Sequence, residues 1–131
     1  MRQEKKSAII VMVVATLMFS GCAQKTAEEI VFERSQTQMN LLMEGDFAAA
    51  YDYMTPGYRE VSTLGDFISR RLGVSNWTAA VVDSVTCESG ICHVITSVTY
   101  ERKAYNLVNT KTMNEKWLKI GGKWYLYHRN K

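Results

Sequence analysis

Six residues, Cys87-Glu88-Ser89-Gly90-Ile91-Cys92, constrain this chain more than any other stretch, because they set a turn and with it a strand register. Ser89-Gly90 reads as a two-residue hairpin turn between two runs of alternating apolar and polar residues. Glu88 then faces Ile91 in a hydrogen-bonded pair, and Cys87 faces Cys92 in a non-hydrogen-bonded one, where α-carbons approach closely. Carried outward without interruption, the register pairs Val85 with Val94, Val81 with Val98 and Ala79 with Tyr100 on the cysteines' face. Thr78, Ser84, Thr86, His93, Ser97 and Thr99 fall on the other, solvated face. The C-terminal part of the chain is therefore expected to be antiparallel sheet with one buried face.

The N-terminus follows a different plan. Arg2, Lys5 and Lys6 precede an uncharged run of 13 residues, Ser7 to Phe19, and small Ser20 and Gly21 lead into Cys22. As a helix that run spans about 20 Å, short of a bilayer's roughly 30 Å hydrocarbon core, so it reads as an export signal and not as a permanent span. Phe19-Ser20-Gly21-Cys22 resembles the lipobox of bacterial lipoproteins, whose cysteine is lipidated and becomes the new N-terminus. The resemblance implies a signal peptide over 1–21, a lipidated tether over 22–26 and one domain over 27–131. It also implies a diacylglyceryl group on the Cys22 sulfur, and with it a membrane as the first partner. Ala23 in the next position favours, by the same resemblance, the inner face of the outer membrane in a Gram-negative cell. With Cys22 so used, Cys87 and Cys92 are left to each other in an oxidising compartment. A bond between them closes a six-residue loop, worth about 2 kcal/mol by chain entropy.

The 110 residues from Cys22 onward suffice for one small core. A single proline and 47% hydrophobic residues argue for a folded globule. Charge is unevenly placed: Ala23 to Glu101 hold 5 basic and 11 acidic side chains, whereas Arg102 to Lys131 hold 8 basic and only Glu115 acidic. Either a basic face meets anionic lipid, cell-wall polymer or an acidic partner, or an acidic helical layer sits beside a basic sheet and offsets it. The lysines are interleaved with strand positions, which favours the second account. No nucleic-acid motif is present, so nucleic acid is not an expected partner.

Along the chain, Ala27 to Glu44 has the period of an amphipathic helix, with Val31, Ser35, Met39 and Leu42 on one stripe and Gly45 as its stop. Asp46 can cap a second helix, Phe47 to Met54, which Thr55-Pro56-Gly57 breaks. Thr63 and Asp66 have capping-box spacing for a third, Leu64 to Leu72, with Gly73 behind it. Gly121-Gly122 signals a second hairpin that places Trp117 opposite Leu126, Leu118 opposite Tyr125 and Lys119 opposite Trp124. Lys103 to Thr112, between the hairpins, reads as a loop. The expected fold is α+β: three N-terminal helices packed on a curved four-stranded antiparallel sheet.

Leu42-Met43-Glu44-Gly45-Asp46-Phe47-Ala48-Ala49-Ala50-Tyr51, continuing through Thr55-Pro56-Gly57-Tyr58-Arg59, resembles the nuclear transport factor 2-like (cystatin-like) lipoproteins. The ending Trp117-Leu118-Lys119-Ile120-Gly121-Gly122-Lys123-Trp124-Tyr125-Leu126 strengthens the likeness. The resemblance implies a cone between sheet and helices, a place that holds catalytic groups in some members, ligands in others and nothing in the rest. Candidates to line it are Tyr51, Met54, Phe67, Val81, Val98 and Trp117. Asp83 is the catalytic candidate, because the register puts it among Val81, Val85 and Val98, where burial would raise its pKa. The competing account is an aspartate at a strand bend bonded to Thr96. His128 falls opposite Glu115, a pair able to hold a proton or a metal but more simply a surface pair. No nucleophile triad, phosphate loop or metal-ligand spacing is present, and no cofactor or metal is expected. Two functions stay open: a lipid-anchored, non-enzymatic domain that binds a partner protein or envelope component, and an apolar-ligand carrier or isomerase-type or dehydratase-type enzyme using Asp83.

Overall fold

The computed structural model describes residues 21–129, so the expected signal segment lies almost wholly outside the described residues. Among the described residues four helices come first: α1 (Ala27–Glu44), α2 (Phe47–Tyr51), α3 (Pro56–Val61) and α4 (Leu64–Ser69). A 3-10 turn, Leu72–Asn76, leads into strands β1 (Trp77–Glu88), β2 (Ile91–Arg102), β3 (Leu107–Ile120) and β4 (Lys123–Tyr127), which form one antiparallel sheet in the order β1-β2-β3-β4.

Local chemistry explains the helix ends. Thr26 accepts from the Glu29 N–H while Glu29 reaches back to the Thr26 N–H, a reciprocal cap that starts α1, and Gly45 closes it at φ 80°, a left-handed conformation open to glycine. The third helix of the sequence reading is the fourth here. Thr55-Pro56 ends the preceding turn and at once begins α3, since Thr55 caps it and a proline at the first helical position loses no hydrogen bond. The capping box of Thr63 and Asp66 forms as expected, but α4 stops at Ser69 and the chain tightens into the 3-10 turn around Gly73.

Both hairpin turns hold their two central residues at positive φ, Ser89 and Gly90 at 49° and 76°, Gly121 and Gly122 at 57° and 79°, which matches the twist of the strands they join. Near the turns the expected pairs form: Cys87 with Cys92, Val85 with Val94, Trp117 with Leu126 and Lys119 with Trp124. Cys87 and Cys92 are joined by a disulfide, their α-carbons 4.0 Å apart. Such bonds persist in oxidising, exported compartments.

Farther from the first turn the register departs from the expected one. Val82 pairs with Thr96 but Ser84 with Ile95, so Asp83 is an extra residue, a β-bulge. From Val82 back to Ala79 the β1 side chains change face: Val81 pairs with Ser97 and is 51% exposed, while Ala80 and Val82 are buried. A second extra residue near Thr78 restores Trp77 to the inner face opposite Tyr100. The expected loop before Met113 is also strand, because Asn106 turns at φ 48° and β3 pairs with β2 from Leu107 onward.

The core lies between α1, the shorter helices and the inner face of the sheet. Val31, Ser35, Gln38, Met39 and Leu42 recur at helical spacing along α1 and are all buried. They meet Val82, Val94, Val98, Trp117 and Trp124, with Met54 and Phe67 closing the side. The Gln36 side chain donates to the Ala80 carbonyl at 2.9 Å and accepts from the Val82 N–H at 3.0 Å, so it covers the free edge of β1 as a strand would.

Candidate functional site

A cleft of about 380 Å³ lies where α1, the segment after α4, the middle of β3 and the end of β4 converge. Its walls are apolar, from Met39, Leu42, Val74, Trp77, Met113 and Leu126, and its titratable groups are Arg70, Arg71, Glu115 and His128.

Glu115 sits on the inner face of β3, two residues from fully buried Trp117. The Ser35 hydroxyl donates to its Oε2 at 2.9 Å and the Trp117 indole N–H donates to the same oxygen at 3.1 Å. Burial raises the Glu115 pKa above the ordinary carboxylate value, with the two donors and Arg71 pulling the other way. Arg71 lies with its guanidinium carbon 3.6 Å from the centroid of Phe67 and donates to the Phe67 carbonyl at 3.2 Å. Burial lowers its pKa, and nearby Tyr58 and Glu115 oppose that shift. His128 packs edge-on against Tyr58, ring centroids 5.7 Å apart, and its pKa is lowered first by burial and then by Arg71 and Arg70. Gln38, 1% exposed, lines the cleft with its Nε2 lacking a protein partner. A cleft with Arg71 fixed by packing, Arg70 beside it and apolar walls suits an anionic group attached to an apolar one.

The residues expected to line a cone separate into three groups. Met54, Phe67 and Trp117 are filled core with no exposure, and Tyr51 packs edge-on to Phe67 with its hydroxyl donating to the Ser62 carbonyl at 2.6 Å. Val98 is buried and borders a second, smaller hollow that adjoins the cleft. Val81 points outward, a consequence of the bulge. Asp83 is exposed and accepts a hydrogen bond from the Ser97 hydroxyl, so neither burial nor the cleft acts on it. It stands at a strand bend, bonded to Ser97 and not to Thr96. Cys22 is exposed and in no disulfide.

Glu115 and His128 both reach the cleft, where a surface pair was the simpler expectation. The signal for Glu115 was present in the sequence: the Gly121-Gly122 register turns Trp117 inward, and position 115 shares its face. Nothing local marks Gln38, Arg70 or Arg71, whose roles arise from packing between distant segments.

No family model and no curated protein matches the sequence. Solved structures do resemble it. A SEC-C motif-containing protein from Rhodopseudomonas palustris shares 13% identity over 72% of this chain and 73% of its own, with a TM-score of 0.60. A Campylobacter jejuni protein described as an NTF2-like transpeptidase shares 12% identity over 74% of this chain and 96% of its own, with a TM-score of 0.52. At such identities the likeness shows the fold alone: helices on a four-stranded antiparallel sheet, of the nuclear transport factor 2-like kind in the second case.

Proposed function

We propose that the chain is a lipid-anchored, non-enzymatic domain of the cell envelope that binds a partner protein or envelope component through the cleft beside Arg71. The observation that carries this reading is Arg71, held against Phe67 and next to Arg70, in a cleft walled by apolar side chains. Cations held in place by packing recognise anionic groups with little ordering cost on binding. The anchor rests on the lipobox resemblance at Cys22. A tether of five residues reaches at most about 17 Å, so the cleft would work close to a bilayer.

Two experiments test it. Cys22→Ser should release the chain from membranes on fractionation; equal membrane retention and no processing of either form would end the anchor reading. Crosslinking in the native envelope should yield a product with wild type that Arg71→Met loses and Asp83→Ala keeps. An unchanged product from Arg71→Met would remove the cleft from the account.

Glu115 supports a second reading, a ligand carrier or cone-pocket enzyme. A part-buried carboxylate with raised pKa can accept a proton, and it takes over the place that Asp83 held in the sequence-based expectation. Turnover of a bound ligand that Glu115→Gln abolishes without loss of binding would establish it.

A further inference from the structure

β4 pairs with β3 only over Lys116–Ile120, whereas β2 pairs with β3 from Leu107 to Leu118. Among the described residues the other edge of β3, from 107 to 115, has no strand beside it. The alternation of antiparallel pairs turns the N–H and C=O groups of Val108, Thr110, Thr112 and Asn114 toward that edge. One of them is met locally: the Asn109 side chain accepts from the Thr110 N–H at 2.9 Å. The opposite edge of the sheet differs, since Gln36 covers it at Ala80 and Val82.

The open edge borders a cationic hollow. Past Met113 and Trp77, which line both spaces, the cleft runs into a hollow of about 300 Å³ carrying Arg102 and Lys111 beneath the inner face of β3. Lys111 is on that inner face, paired with Val98. Arg70 and Arg71 continue the positive charge on the cleft side, against Glu115 alone. An occupant that used both features would supply a backbone ladder and negative side chains at two-residue spacing. A polypeptide does both; a glycan or lipid headgroup offers no ladder.

We infer that the partner contributes an extended acidic segment that adds to β3 antiparallel, in line with β4, and turns alternate carboxylates toward Lys111, Arg102 and the Arg70–Arg71 corner. The inference rests on the cleft reading and names its partner's chemistry. A strand of nine residues would run about 30 Å along 107–115.

The full chain in detergent micelles is titrated with a fluorescein-labelled decapeptide of alternating glutamate and valine. The same peptide N-methylated at alternate residues and a lysine-valine version serve as controls. Binding is expected for the first peptide alone, weakened about tenfold or more by Lys111→Glu, with hydrogen exchange slowed in 107–115. Equal binding of the N-methylated peptide, or of the lysine peptide, overturns the inference. So does protection of 107–115 that grows with protein concentration in the absence of peptide, because a second copy then occupies the edge. If these tests fail while Arg71→Met still abolishes the envelope crosslink, the cleft reading stands and the strand-addition inference falls.

Discussion

The Ser35 hydroxyl donates to Glu115 Oε2 at 2.9 Å, joining the middle of α1 to the inner face of β3 across 80 positions of sequence. Ser35 is fully buried, so the bond is also what makes a hydroxyl tolerable in the helix-sheet interface. It aims the one acidic side chain of the basic C-terminal segment into the cleft.

Glu115 makes stability depend on pH in a stated direction. Its folded-state pKa is raised above the ordinary 4.5, chiefly by burial, so its favourable contribution is complete below 4.5 and is lost as pH rises through the folded value. Glu115→Gln has no such loss. Urea denaturation from pH 4 to 8 should show the variant gaining on wild type as pH rises; a constant or shrinking difference would contradict this.

His128 should titrate below its ordinary 6.5, because burial and the charges of Arg71 and Arg70 oppose protonation. Its neutral form is preferred in the fold, so stability is lost as pH falls through 6.5 toward the folded value. Arg71→Met removes one of those charges. NMR titration of His128 should give a pKa that moves back toward 6.5 in the variant without reaching it, since burial is the larger cause.

Phe67 has no exposure and packs edge-on with Tyr51 and Tyr58 beneath Arg71. Phe67→Ala should cost about 3–5 kcal/mol in denaturation and disorder the Arg71 corner. Phe67→Leu should cost less than half as much and preserve any binding.

Asp83→Ala should change stability by no more than about 1 kcal/mol, and envelope crosslinking not at all, because its carboxylate is exposed and bonded only to Ser97. Gln36→Ala should cost more, about 1–3 kcal/mol, since it strips the Ala80 carbonyl and Val82 N–H of their partners at once.

The disulfide closes a short loop. Cys87→Ser with Cys92→Ala should lower stability by about 2 kcal/mol or more while keeping the strand pairing, read as an unchanged far-ultraviolet spectrum. A variant that loses the sheet would mean that the Ser89-Gly90 turn does not hold the hairpin alone.

What could be read from the residues follows the range of each rule. Caps, glycine stops and two-residue turns act over three or four positions, so the span of α1, the capping box at Thr63 and the pairs flanking both turns were legible. The extra helix at Pro56 was hidden because Thr55-Pro56 reads equally as a break and as a start. Strand β3 was cut short because its first half, Leu107 to Thr112, has no apolar alternation; pairing with β2 holds it there.

On its own, the chain determined that an α1 stripe and two hairpins would face each other over a core, since period and turn chemistry are properties of neighbouring residues. Only the tertiary structure decided that Asp83 would bulge, sending Val81 out and Val82 in. One extra residue inverts a strand's faces, and whether it is accommodated depends on what packs there, in this case Gln36 on Ala80 and Val82. It likewise decided that Gln38, Arg71 and Glu115 would share a cleft, because burial and its effect on charge exist only once distant segments exclude water together.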